Sequence, residues 1–231
     1  MSKYVTAPEA IRHISAGQHI FLGNGASEPQ TLVEALVEDK DRLSGCQLLT
    51  GYHEVSPCLY LSLVERGYFK FVSFMISAKS KRGLREGLID YIPANLFQIA
   101  SLIEKKIVPV DVALIQVSPP DDQGLCSLGI CVDYNVAAFR AAKLVIAEVN
   151  EQMPWTYGDG VVPLSRIDFL VNSSRPLLAI CPPRIGEAER KIGEYVNELI
   201  DDGATLQLGL GAIPDVVLKF LENKKELGVH S

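Results

Sequence analysis

The 231 residues are 48% hydrophobic and 22% charged, which suits a globular protein of one or two domains and excludes a disordered chain. Lys and Arg number 22 against 28 Asp and Glu, and the net charge of −6 argues against a nucleic-acid binder held by bulk positive charge. No apolar run reaches the ~18 residues of a membrane helix, and the start, MSKYVTAPEAIRHISAGQ, lacks a signal-peptide pattern.

In chain order, short apolar runs alternate with amphipathic stretches, the pattern of an α/β domain with a mainly parallel sheet. Strands are predicted at His19–Leu22, Gln47–Thr50, Phe69–Phe74, Val110–Val117, Leu144–Val149, Phe169–Val171, Leu177–Ile180 and Thr205–Leu208. Helices are predicted at Pro8–Ser15, Gln30–Glu38, Pro57–Arg66, Asn95–Lys105, Tyr134–Ala142, Ile185–Ile200 and Pro214–Glu222. Pro176, Pro182 and Pro183 bracket an exit from one domain, so we expect domains at 1–184 and 185–231.

An internal repeat supports that division. Gly17–Leu36 reads GQHIFLGNGASEPQTLVEAL and Gly203–Leu221 reads GATLQLGLGAIPDVVLKFL. An offset of 203 − 17 = 186 superposes Gly17, Gly23, Gly25 and Ala26 on Gly203, Gly209, Gly211 and Ala212. One residue fewer in the second copy then aligns Pro29 with Pro214 and Leu36 with Leu221. Both copies spell helix, glycine stop, apolar strand, G-x-G loop, proline, helix. The first copy is followed by a full set of strands and helices and the second by ten residues, so we read the second domain as stopping early.

Chemistry is sought where strand gives way to helix, because glycines admit a ligand to the backbone and the helix start offers unpaired N–H groups to an anion. Neither loop is a dinucleotide fingerprint, since Pro214 and Glu28 replace the third glycine. Tight turns and ligand binding account for the loops equally well. Ser118–Gly129 leaves a strand end but is rich in turn formers, and only Asp133-Tyr134 and Glu148-Val149-Asn150 at comparable strand ends weigh against a plain turn. Ser127 lies outside any G-x-S-x-G pattern, His53-Glu54 reads equally as a solvated turn or a base, and Lys79–Arg82 as a solvated helix start. The five cysteines contain no C-x-x-C pair, and His13, His19, His53 and His230 show no zinc spacing beside them, which suits a reduced, cytoplasmic chain with no metal.

Four stretches together resemble the acetyl-CoA hydrolase/transferase family, which contains acetate-, butyrate- and 4-hydroxybutyrate-CoA transferases. They are SAGQHIFLGNGASEPQTLVEAL, VSPPDDQGLCSLGICVDY, AKLVIAEVNEQMPWTYGDG, and LQLGLGAIPDVV with KKELGVHS. The resemblance implies an open, mainly parallel α/β sheet of the CoA-transferase (NagB/RpiA-like) type, followed by the start of a second such domain. It implies ping-pong CoA exchange between a short-chain acyl-CoA and a carboxylate such as acetate, through an acyl-glutamyl anhydride and a glutamyl-CoA thioester. By the same resemblance, Gly209, Leu210, Gly211, Ala212 and Ile213 contact CoA and Gln207 lies near the reacting carbonyl. Asn24, Gly25 and the loop to Pro29 form the acyl-side wall.

The family's catalytic glutamate follows the segment matched by Leu227–Ser231, so the resemblance puts it immediately after Ser231 and leaves this chain alone inactive. A shortened polypeptide and cleavage at the reactive glutamate are both readings of that end. Coenzyme A is thus expected as substrate and not as a bound cofactor, and the expected partners are the C-terminal half of the protein and further copies in a homo-oligomer. An acyl-CoA hydrolase, a non-catalytic CoA-binding module and a sugar-phosphate isomerase relative are the competing readings. The last would need an acid/base pair and a phosphate loop, and neither is apparent.

Overall fold

The computed structural model describes residues 3–51, 57–77, 80–179, 184–209 and 211–230, with the side chains of 57–60 excepted. The chain divides into two compact units, 1–178 and 179–231.

The first unit runs α1 (Ala7–Ile11), β1 (His19–Leu22), α2 (Gln30–Glu38), β2 (Gln47–Thr50), α3 (Pro57–Glu65), β3 (Lys70–Ser73), α4 (Lys81–Arg85), β4 (Ile89–Tyr91), α5 (Leu96–Glu104) and β5 (Val112–Val117). It continues with β6 (Leu125–Ser127), α6 (Asn135–Ala141), β7 (Leu144–Asn150), β8 (Val161–Pro163) and β9 (Phe169–Ser173). Seven strands form one sheet in the order β4-β3-β2-β1-β5-β7-β9, and every pairing in it is parallel. The expected open parallel α/β sheet is therefore the architecture of this unit. Strands β6 and β8 make a separate antiparallel pair.

A parallel sheet is covered on both faces, so its central strands are apolar throughout, and all six residues of β5 are buried. Side chains alternate between the two faces. Ile20 and Leu22 of β1 and Val112 and Leu114 of β5 join the core formed with α1 and α2. Phe21, Ala113, Ile115 and Val117 join the core formed with α5 and α6. At the carboxyl ends the first face turns polar, because Gln116 follows Leu114, and Glu148 and Asn150 follow Ile146, at the same parity.

Most predicted elements form with ends displaced by one or two residues. Helix α1 is shorter than Pro8–Ser15: after Ile11 the bonds tighten, from His13 N–H to the Ala10 carbonyl and from Ile14 N–H to that of Ile11. Leu177–Ile180 is a correction. Residues 177–179 are not a strand, because Pro176 has no N–H to donate, and β9 ends its pairing with β7 at Asn150–Ser173. Residue 180 lies outside the described residues. Helix α4, β4 and the β6–β8 pair were not anticipated; they are three to five residues long and carry no sustained apolar period.

The second unit contains α7 (Glu187–Glu198), β10 (Thr205–Leu206), α8 (Ala212–Phe220) and β11 (Gly228–Val229). It reproduces the opening of the first: a helix, a strand, a helix packed on the first helix, and a second strand parallel to the first. Gly17 and Gly203 share left-handed φ values of +78° and +79°, and Gly25 and Gly211 have φ of +56° and +135°. Residues with a Cβ avoid such conformations, which is why the glycines recur in register. Pro214 sits inside the first turn of α8, where a missing N–H leaves no bond unmade.

Candidate functional site

In the first unit the strand order reverses between β1 and β5, since β2 lies on one side of β1 and β5 on the other. Open α/β sheets place ligands in the crevice outside the carboxyl ends of the strands at this reversal. Two loops meet there, Gly23–Pro29 after β1 and the turn at Cys131–Asn135 before α6.

The first loop is held by its own compactness. Gly23 N–H donates to the Leu114 carbonyl at 2.9 Å, and a Cβ on Gly23 would lie 2.8 Å from the Ser27 carbonyl oxygen. Asn24, 5% exposed, donates its backbone N–H to Asn135 Oδ1 at 3.1 Å and its Nδ2 to Asp133 Oδ2 at 2.9 Å. Asn135 Nδ2 donates to the Cys131 carbonyl at 2.7 Å, so the second loop is locked to the first. Asp133 holds a left-handed φ of +36°, and burial raises its carboxyl pKa against the opposing bonds from Tyr134 N–H and Asn24. Burial first, and then Asp133, raises the Cys131 thiol as well.

Tyr134 stands between Phe21 and Phe74 in edge-to-face contacts at 6.0 and 5.8 Å. Its hydroxyl rests on Gly51, where a Cβ would come within 1.3 Å. That hydroxyl and the Thr50 hydroxyl are both buried without a hydrogen-bond partner among the described residues. Burial, with a smaller contribution from Asp133, pushes the phenol pKa far above its ordinary value.

On the other side of the loop, Gln116 Nε2 donates to the Glu28 carbonyl at 3.0 Å, and Asn150 Nδ2 donates to Gln116 Oε1 and to the Arg175 carbonyl, each at 2.8 Å. Arg175 forks onto Glu34 at 2.7 and 2.6 Å, fastening the chain after β9 to α2. Between Glu28, Gln116, Glu148, Asn150 and Arg175 remains a cavity of about 10 Å³, room for a single water.

Glu148 fills the start of the helix that follows this first loop. Its carboxylate accepts Thr31 N–H at 2.8 Å, Thr31 Oγ1–H at 2.9 Å and Leu32 N–H at 3.4 Å. A side chain of the protein already occupies the positive end of α2, and Glu148 is a structural cap rather than a free base. Within Ser118–Gly129 a turn leads into β6: Asp121 Oδ1 accepts Gln123 N–H and Leu125 N–H at 2.9 and 2.8 Å, and Ser127 Oγ binds Thr156 and Gly129. Ser80 is the buried residue before α4, and the exposed Lys81 and Arg82 begin the helix, with Arg82 paired to Glu65 and Glu86. His53, Glu54 and Lys79 lie outside the described residues.

Of the residues singled out in sequence, Asn24, Gly25 and Pro29 therefore sit at the carboxyl edge of the first unit, with Pro29 opening α2. In the second unit, Gln207 follows β10, Gly209 lies two residues further on, Gly211 is the residue just before α8, and Ala212 and Ile213 begin that helix; Leu210 lies outside the described residues. No side chain caps the start of α8 among the described residues. Gln116, Asn135 and Gly51 were not singled out in the sequence, whereas Tyr134 was noted only beside Asp133. A polar residue inside the apolar run VALIQV was the available signal for Gln116.

Among the described residues no cluster of three His, Cys, Asp or Glu is placed to hold a metal, and no helix is long and apolar enough to cross a membrane.

The fold and this edge define an open parallel α/β protein with a polar crevice at the strand-order reversal. Residues 1–182 match the acetyl-CoA hydrolase/transferase N-terminal domain, and the chain belongs to that family. It is 44% identical over 231 residues to a 4-hydroxybutyrate coenzyme A transferase of Clostridium kluyveri, covering 99% of this chain and 53% of that protein. It is 37% identical over 226 residues to a succinyl-CoA:acetate/propanoyl-CoA:succinate CoA transferase of Fasciola hepatica, covering 96% and 47%. The crystal structure of RipA from Yersinia pestis superposes with a TM-score of 0.89 at 29% identity, covering 98% of this chain and 55% of that one. The chain spans about half the length of the curated relatives it matches.

Proposed function

We propose that this chain is the N-terminal half of a CoA-transferase that exchanges CoA between a short-chain acyl-CoA and a carboxylate such as acetate. The observation that carries the reading is the family match over residues 1–182 together with relatives named as CoA transferases along nearly the whole chain. In this reading the glutamate that the resemblance puts after Ser231 attacks the acyl-CoA carbonyl and expels CoA thiolate. The thiolate attacks the resulting anhydride at the glutamyl carbonyl, releasing the acyl carboxylate. The incoming carboxylate then attacks the glutamyl thioester, and the returning thiolate completes the new acyl-CoA. Coenzyme A comes and goes as substrate.

The chain's own residues bind and orient. Asn24, Gly25 and Pro29 form the acyl-side wall, whose rigidity follows from the Asn135 and Asp133 bonds. Gly209–Ile213 receives CoA, and the helix start at α8, uncapped by any described side chain, suits an anionic group. Gln207 donates to the carbonyl oxygen as charge develops on it. The second unit is the opening of a repeated domain completed by the C-terminal half, the whole working as a homo-oligomer in the reducing cytoplasm.

The test is acyl-CoA:acetate exchange by this chain alone and by this chain continued with the C-terminal half of the Clostridium kluyveri relative. Exchange is expected only from the continued chain, and Gln207→Ala in it should lower kcat about 10²-fold with little change in KM. CoA binding without exchange in the continued chain would make it a binding module, and release of free CoA without an acceptor would make it a hydrolase.

A further inference from the structure

The loop pair around Asn24 turns its hydrogen-bond donors inward. Asn24 N–H goes to Asn135 Oδ1, Asn24 Nδ2 to Asp133 Oδ2, Ser27 Oγ–H to the Asn24 carbonyl at 2.8 Å, and Asn135 Nδ2 to the Cys131 carbonyl. With Nδ2 drawn to Asp133, Asn24 Oδ1 faces Gly51, 2.8 Å from where a Cβ of that residue would stand. Asp133 itself sets a carboxylate oxygen 2.9 Å from the Asn24 amide nitrogen. Among the described residues no Lys, Arg or His forms an ion pair with it. Arg175, on the other side of the loop, is committed to Glu34. A group that touches the Asn24 amide therefore comes close to a negative charge and meets no counter-charge from the described residues.

We propose that Asp133 is a specificity-determining residue, whose charge makes this wall reject acyl groups that carry a second carboxylate and admit uncharged ones. The inference rests on the CoA-transfer reading and on the acyl-side wall assigned there, and it names the substrate class of that site. Like charges set against each other across a binding surface exclude the wrong partner without weakening the right one. The charge can be removed alone. Asp133 has a left-handed φ of +36°, a conformation in which Asn is as much at home as Asp, and an Asn side chain keeps an oxygen for the Asn24 bond.

The test compares two acyl-CoA donors at pH 8 in acetate exchange by the continued chain. Succinyl-CoA and 4-methylpentanoyl-CoA differ in charge but hardly in shape, since an isopropyl group replaces the carboxylate. For the wild type, kcat/KM is expected to be about tenfold lower with succinyl-CoA, and Asp133→Asn should raise the succinyl to 4-methylpentanoyl ratio about tenfold. A merely structural effect would change both rates and leave the ratio where it was. Succinyl-CoA used as well as its uncharged isostere, rejection of both donors, or a ratio unmoved in the variant overturns the proposal. If no acyl-CoA at all is exchanged, the transferase reading fails by itself, and calorimetric binding of the two thioesters decides on Asp133. Tighter binding of 4-methylpentanoyl-CoA, levelled in Asp133→Asn, upholds the role, and equal binding or none overturns it.

Discussion

At the scale of single residues, Gly51 is required by a side chain 83 positions away. Its missing Cβ leaves the place taken by the Tyr134 hydroxyl. Gly51→Ala should therefore displace that ring from between Phe21 and Phe74 and destabilise the first unit by about 2 kcal/mol, read from urea unfolding. Tyr134→Phe removes a buried hydroxyl that has no partner among the described residues, so stability should stay level or rise by up to about 1 kcal/mol; a loss of that size would mean that the hydroxyl is bonded. At the opposite edge of the sheet, Asp111 accepts His19 N–H at 3.1 Å and Lys143 Nζ at 2.9 Å, and these contacts hold its pKa at about 2, below the ordinary 3.8. A depressed carboxyl stabilises the fold above its unfolded pKa and stops doing so as pH falls through the folded one. Asp111→Asn should lower stability by about 1 kcal/mol near neutral pH, partly screened by solvent. The gap to wild type should close between pH 4 and pH 2.

At the scale of elements, α2 and β7 are tied by the Glu148 carboxylate, which takes two backbone donors of the helix start. Glu148→Gln replaces one accepting oxygen by a donor facing a donor and removes the charge, with an expected loss of about 2 kcal/mol measured by thermal or urea unfolding. The position of that polar residue was legible, since Gln116, Glu148 and Asn150 break apolar strands at the same parity, and the apolar face of α2 was legible in its helical period. Their partners were not, because Thr31 and Glu148 are 117 residues apart and only the closed sheet brings them together. Leu177–Ala179 shows the converse: an apolar run reads as a strand, yet Pro176 and the Arg175–Glu34 fork turn it over the sheet edge.

At the scale of the whole molecule, the two units differ in how much they bury. The first has apolar cores on both faces of a seven-stranded sheet, whereas the buried apolar side chains of the second are Val216, Val217 and Leu221 among the described residues. Backbone amides of β5 and β7 should therefore exchange with solvent most slowly, and those of α7 and α8 faster by orders of magnitude, by hydrogen-exchange mass spectrometry. Joining the C-terminal half should slow exchange in α8 and β11.

Local chemistry and pattern were enough to determine the α/β class, the order of the main elements and the doubled strand–glycine–helix motif, because periodicity, helix-stop glycines and short motifs are properties of neighbouring residues; the family was legible only as the resemblance of four stretches taken together. The glycines at 17, 25, 203 and 211 carry their conformational meaning within a few residues. Only the tertiary structure decided that Glu148 fills one helix start while no described side chain caps the other, that Asn135 and Asp133 lock Asn24, and that Tyr134 stands on Gly51. Those pairings join residues brought together by the order of strands across the sheet, which no local pattern encodes.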